Sequence, residues 1–257
     1  MRRLRLAPLA LVALAVALLV PAGALAAPAG AFVADAGTTG VTGAVATEPP
    51  PLPACRYIDQ HTRFDELKQW RKTLVDTNLR VARSYKPTDL VSVHQAGIEG
   101  TGLIRRVAIA DLRAMADAAR KAGKGIAVRS AYRSYTQQIS TFNGWVARSG
   151  YRQALLYSAR PGHSEHQLGT TIDFRSASSA TPPWGYSDWA TTPSGRWMAQ
   201  NAWKYGWIMS YPKGKRSQVC YGYEPWHYRY IGRDLAKQVH DLGWTLRRFL
   251  WRTFETQ

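Results

Sequence analysis

The sequence predicts an α+β fold: one small, mostly antiparallel sheet flanked by helices. Three observations carry that expectation. Strand-like segments are few and short. Helical hydrophobic periods lie toward both ends of the chain. The 257 residues, 46% of them hydrophobic and ten of them tryptophan, are ample for a sizeable buried core and exclude a wholly disordered chain. No internal repeat is visible.

Taken in order, residues 1–27 carry the three zones of a secretory signal peptide: basic Arg2, Arg3 and Arg5, the uncharged apolar run Leu9 to Val20, and the small-x-small site Ala24-Leu25-Ala26. A membrane span needs about 20 apolar residues. This run is shorter, so cleavage after Ala26 or Ala27 is expected, with the mature protein secreted or associated with the cell wall. Residues 28–54 are rich in Ala, Gly, Thr and Pro, lack a hydrophobic period, and read as a linker. The body occupies residues 55–257. Asp65 to Ser84 is predicted as a helix with Leu67, Trp70, Leu74 and Val81 on one face, ended by Pro87. Ile109 to Ala122 is a second helix, with Leu112, Met115, Ala116 and Ala119 at i, i+3, i+4 and i+7 and Gly123 and Gly125 as stops. Ile126 to Arg129 reads as a strand, and Ser134 to Arg148 and Arg152 to Ala159 as helices. Thr170 to Phe174 is a strand after a turn at Gly169. Ser194 to Tyr205 is helical, Trp207 to Ser210 and Trp226 to Tyr230 are strands, and Gly232 to Thr253 is a closing amphipathic helix.

Two cysteines exclude a multi-disulfide miniprotein and every Cys₄ or Cys₃His zinc site. Export places them where a pair is more often bridged than reduced, so a Cys55–Cys220 disulfide is expected to close a long loop.

Two stretches hold candidate chemistry: Arg160 to Phe174, with His163, His166 and Asp173, and Glu224-Pro225-Trp226-His227. A hydrolytic zinc site takes three nitrogen or oxygen ligands and a nearby carboxylate that accepts the water's proton. On a strand, Thr171 and Asp173 share one face while Ile172 points to the other. The Gly169 turn can fold Asp173 back beside His166, and Glu224 and His227 can add a base and a third ligand. His163 with His166 is a rival ligand pair. The absence of H-E-x-x-H excludes a thermolysin-like helix site.

The segment Ser164-x-His166-x-x-Gly169-x-Thr171-x-Asp173 resembles the S-x-H-x-x-G-x-A-x-D signature of VanY-type D-alanyl-D-alanine carboxypeptidases, with Thr171 where that pattern has Ala. Glu224-Pro225-Trp226-His227 is similar to the family's second element. Ser130-Ala131-Tyr132-Arg133-Ser134, followed by Gln138, is similar to a third. The resemblance covers Cys55 to about Leu250. It implies the zinc-bearing fold shared by lysostaphin-type peptidases, D-Ala-D-Ala peptidases and the hedgehog domain. It implies His166, Asp173 and His227 as Zn²⁺ ligands, Glu224 as general base and Arg133 as the residue that stabilises the oxyanion. Ser164 and Gln138 are implied as substrate-holding residues. The implied activity is removal of the terminal D-alanine from peptidoglycan stem peptides. L,D-carboxypeptidase or endopeptidase action on the same fold, and a nonenzymatic wall-binding role, are the alternatives.

Ser210-Tyr211-Pro212-Lys213 matches the S-x-x-K of serine D,D-peptidases. Pro212 and Gly214 fit a loop rather than the required helix start, and K-T-G and S-D-N are absent. Most of the tryptophans from Trp184 to Trp226 are expected in the core, and His61, His94 and His240 on the surface. The formal charge is +17, or +14 once Arg2, Arg3 and Arg5 leave with the signal peptide. In an exported chain without a nucleic-acid-binding signature, this basicity points to anionic envelope polymers rather than nucleic acid. A monomer is expected.

Overall fold

The computed structural model describes residues 50–256, so the expected signal peptide and nearly all of the expected linker lie outside the described residues. A Cys55–Cys220 disulfide joins the start of the body to a late loop, with the Cα atoms 5.3 Å apart. Strand β1 (Gln60–His61) pairs in parallel with β2 (Leu79–Arg80), and β3 (Leu90–Ser92) pairs antiparallel with β4 (Leu103–Arg105). There follow α1 (Ile109–Lys121), β5 (Ile126–Ser130), α2 (Tyr135–Ser149), α3 (Tyr151–Tyr157) and β6 (Thr171–Ser176). The chain ends with α4 (Pro193–Asn201), β7 (Trp207–Met209), α5 (Arg216–Val219), β8 (His227–Tyr230), α6 (Arg233–Leu242) and α7 (Leu246–Leu250). The main sheet has the order β5-β6-β8-β7 and every neighbouring pair in it is antiparallel. This is the small antiparallel sheet among helices that the sequence predicts.

Local chemistry explains most boundaries. In α1 the stripe Leu112, Met115, Ala116 and Ala119 is buried, and Gly123 follows at φ +70. Helix α2 opens with a reciprocal capping box between Ser134 and Gln137. Helix α4 starts with Pro193 in its first turn, and the Thr192 side chain accepts from the Gly195 amide. Successive residues of a strand face opposite ways. Ile172, Phe174, Tyr228 and Tyr230 join Ile126, Val128 and Trp207 in the main core, which is roofed by α1 and α4. Thr171, Asp173, His227 and Arg229 take the other face, which is buried too.

Two predicted helices are corrected. Asp65 to Ser84 holds only a 3₁₀ turn, Leu67–Gln69, and then β2. Side chains there outcompete the helical ladder. The Thr73 hydroxyl donates to the Phe64 carbonyl at 2.6 Å, and Asp76 Oδ1 accepts from the amides of Asn78 and Leu79 at 2.7 Å each. Arg229 Nη2 takes the Trp70 and Thr73 carbonyls at 2.9 and 2.6 Å. Trp70, Leu74 and Val81 are buried all the same, so the apolar pattern reported burial rather than helix. The closing helix breaks at Gly243, which adopts φ +60. Thr245 then caps a new helix by accepting from the Arg248 amide, and the chain finishes in a π turn, Trp251–Glu255.

Entry into β6 depends on Gly169. It ends the 3₁₀ turn Glu165–Leu168 at φ +71, and a Cβ there would lie 3.0–3.1 Å from side-chain atoms of Arg105, Leu90 and Pro87. Its carbonyl accepts from the Arg105 amide at 2.8 Å. Substitution Gly169→Ala is expected to lower the unfolding free energy by more than about 1 kcal/mol, measured by urea denaturation. A variant as stable as the parent would show that this turn tolerates a side chain.

Candidate active site

Strand register performs the first step of assembly. Asp173 on β6 lies opposite His227 on β8 and opposite Ser130 on β5, with a register shift between Val128 and Ser130. Directly opposed residues have Cβ atoms about 4.5–5.5 Å apart, and a bulge re-aims the side chains beside it. The turn at residues 165–168 delivers His166 to the same point. His166 Nε2 is 3.3 Å from Asp173 Oδ2, and His227 Nδ1 is 3.1 Å from Asp173 Oδ1. One donor atom from each of His166, Asp173 and His227 lies within 4.8 Å of the others, and all three residues are buried.

This donor set fits a metal ion on chemical grounds: two imidazole nitrogens and a carboxylate oxygen converge from three places in the chain. The remaining ring nitrogens are already engaged. His166 Nδ1 donates to the Ala131 carbonyl at 2.6 Å, and His227 Nε2 donates to Glu165 Oε2 at 2.9 Å. Each ring thereby directs its other nitrogen toward Asp173, the nitrogen on which a metal ion would take the place of a proton.

Two charged groups stand beside the set without belonging to it. Glu224 Oε2 is 3.5 Å from His227 Nδ1, and the amide of Glu224 is anchored on the Tyr211 carbonyl at 3.1 Å. Arg133 donates through Nε to Gln138 Oε1 at 2.9 Å and through Nη1 to Ser130 Oγ at 2.8 Å, and Nη1 lies 3.8 Å from Asp173. The Arg133 amide also donates to the His166 carbonyl at 3.2 Å.

Burial sets much of the electrostatics. It pushes Glu224 up to about 7; His227 and Arg133 oppose that rise, and Asp173 and Glu165 add to it. It drives His166 down to about 4, helped by the Arg133 charge. Burial also penalises the charged form of Asp173, but the pull of His166 and His227 overrides this and holds the carboxyl well below the usual carboxylate range. Glu165 reaches about 2 because His227, Arg229 and Ser210 outweigh its burial. His227 resists desolvation and is held up at about 10 by Asp173 and Glu165. Burial lowers Arg133 from its ordinary value, against the pull of Asp173 and Glu224.

The structure brings together His166, Asp173, His227, Glu224 and Arg133, the five residues that the sequence singled out. Gln138, expected to hold substrate, contacts Arg133. It is fully buried, accepts from Arg133 and donates to the Ala159 carbonyl at 2.7 Å, so it braces the guanidinium. Ser164 is buried immediately before the 165–168 turn. His163 is not a ligand partner of His166: its nitrogens meet the Asp76 carbonyl at 2.7 Å and Asp59 Oδ1 at 2.8 Å. Ser210 donates to Glu165 at 2.6 Å, while the exposed Lys213 meets Asp188 at 3.3 Å, which dismantles the S-x-x-K reading. His61, His94 and His240 are exposed. Trp189 and Trp207 are fully buried, whereas Trp184 is 50% exposed, edge-on to Trp226 at 6.1 Å with Arg129 over its face. Sequence reasoning missed Glu165 and Arg229. Their one signal was charge inside two otherwise apolar or ligand-bearing stretches.

Fold and donor set together define a class: a single-metal centre of the hydrolytic kind, built on a small antiparallel sheet. The chain belongs to the VanY family, D-alanyl-D-alanine carboxypeptidase, whose sequence model matches residues 102–233. The Bacillus subtilis protein YodJ is 38% identical over 183 residues, a match covering 68% of this chain and 65% of YodJ, so the chain spans just under two thirds of that relative. The structure of the LD-carboxypeptidase LdcB is similar with TM-score 0.63 and 31% identity, covering 77% of this chain and 98% of LdcB. A Zn(II) complex of the D,D-pentapeptidase VanY from a VanB-type resistance cassette is similar with TM-score 0.60 and 27% identity, covering 70% of this chain and 99% of that one.

Thr171, the departure from the signature, is fully buried, and its hydroxyl has no hydrogen-bond partner among the described residues. An unpaired buried hydroxyl costs about 1–3 kcal/mol. Thr171→Val, which keeps the shape, is expected to raise the thermal midpoint, measured by calorimetry. A fall would show that the hydroxyl has a partner.

Proposed function

We propose that the chain is a zinc-dependent carboxypeptidase that removes the terminal D-alanine from peptidoglycan stem peptides outside the cytoplasm. The observation that carries this reading is the convergence of Glu224 and Arg133 on the His166, Asp173, His227 donor set. The extracytoplasmic location draws support from the Cys55–Cys220 disulfide and the secretory pattern of residues 1–27. The net positive charge would hold the enzyme near anionic envelope polymers by an attraction that salt screens.

In this reading His166, Asp173 and His227 hold the zinc. Zinc in such a site polarises the scissile carbonyl and acidifies water toward neutral pH. Glu224, raised to about 7, is matched to proton transfer near neutrality. It takes a proton from the attacking water and delivers it to the leaving amine as the carbon–nitrogen bond breaks. The products are the shortened peptide carboxylate and free D-alanine. Arg133, fixed by Ser130 and Gln138, presents its charge where the carbonyl oxygen becomes negative. The exposed Trp184 lies edge-on to Trp226, the residue before His227, and is a candidate wall for a substrate chain.

Glu224→Gln is expected to keep stoichiometric zinc and lose about 10²–10⁴-fold in turnover. Arg133→Ala is expected to lose about 10²–10³-fold. Both are read by mass spectrometry of defined muropeptides and by metal analysis. The parent should convert a pentapeptide stem to a tetrapeptide, lose this activity to a chelator and regain it with zinc. Trimming of tetrapeptides alone would replace the reading with L,D-carboxypeptidase action, cleaved cross-links with an endopeptidase, and no product at all with a wall-binding protein.

A further inference from the structure

We infer that Glu165 is a positioning residue that fixes the metal-binding form of His227, and that Arg229 and Ser210 hold Glu165 in place to do so. The inference rests on the three-residue metal site and not on the choice of substrate.

A neutral imidazole carries one proton, on either nitrogen, and can bind a metal only through the bare one. His166 resolves this choice with a backbone carbonyl, the one at Ala131. The His227 ring meets no such carbonyl among the described residues; its Nε2 faces Glu165 Oε2 at 2.9 Å while Nδ1 faces Asp173. With a metal ion taking the Nδ1 side beside Asp173, a carboxylate at Nε2 keeps that nitrogen protonated, holds the ring plane and makes Nδ1 a stronger donor.

A buried carboxylate can serve this way only if its other lone pairs are satisfied and its charge is balanced. Both conditions hold. Ser210 Oγ donates to Glu165 Oε2 at 2.6 Å, and Arg229 Nη1 is 3.3 Å from Oε1. Arg229 is itself fully buried and is held by the carbonyls of Trp70 and Thr73. The chain of contacts therefore runs from the Trp70–Thr73 turn through Arg229 and Glu165 to His227. It also crosses the two motifs: Glu165 adjoins one histidine of the donor set in sequence, His166, and grips the other histidine, His227.

The test uses the purified full chain loaded with zinc. Competition with a chromogenic chelator gives the zinc Kd, and ¹⁵N-edited spectra give the Nε2–H proton of His227. Glu165→Gln keeps the size and removes the charge. It is expected to weaken zinc binding by about 10–100-fold and to move the Nε2–H resonance, while KM at saturating zinc stays unchanged. A zinc Kd within twofold of the parent, with an unmoved resonance, would reduce Glu165 to a folding residue and overturn the inference. If Glu165→Gln does not fold, Ser210→Ala decides: the expected results are a weaker zinc Kd and a moved resonance, and an unchanged pair overturns the inference. A parent protein that takes up no zinc would defeat the metal-site reading itself, a failure distinct from equal binding by parent and variant.

Discussion

Three carboxylates, Glu165, Asp173 and Glu224, crowd one buried histidine, His227, at 2.9, 3.1 and 3.5 Å. So much negative charge out of water is tolerated only where cations and donors balance it. Much of the fold can be understood as that balance. Arg229 neutralises Glu165 from behind, Arg133 faces Asp173 from the side, and the convergent donor atoms of His166, Asp173 and His227 suit a divalent cation at the centre, where it would replace the His227 Nδ1 proton.

Supporting this arrangement takes pieces that are remote in sequence. The start of the body is tied to the late loops by the Cys55–Cys220 bridge and to the entry of β2 by Asn78, which accepts from the Arg56 amide and donates to the Ala54 carbonyl. The buried Arg247 of α7 joins Asp76 at 2.5 Å and the carbonyls of Gln218 and Pro53. His163 pins the residues just before the 165–168 turn onto Asp59 and Asp76. These ties hold the 210–224 loop, which ends at Glu224, and the Trp70–Thr73 turn, which receives Arg229. The ligand geometry thus rests on segments that hold no ligand.

The candidate constellation was legible in the sequence chiefly through the resemblance of its two motifs; strand alternation and spacing alone left His163 and His166 open as a rival ligand pair. Asp173 and His227 fall on one face of adjacent strands, and Gly169, at φ +71, ends the turn that carries His166 beside them. The main sheet was legible through strand alternation. The 65–84 segment was not, because its helical apolar spacing competes with side-chain contacts from Thr73, Asp76 and the distant Arg229. The break at Gly243 was hidden inside an otherwise continuous amphipathic period. Glu165 and Arg229 escaped notice because their roles exist only once β8 is laid beside β6 and the two motifs meet.

The most direct measurement is anomalous diffraction at the zinc absorption edge from crystals grown with zinc. The expected result is one strong peak, about 2.0–2.2 Å from His166 Nε2, an Asp173 carboxylate oxygen and His227 Nδ1. A peak beside His163 instead, or no peak among these three side chains, would contradict the site on which the proposed chemistry stands.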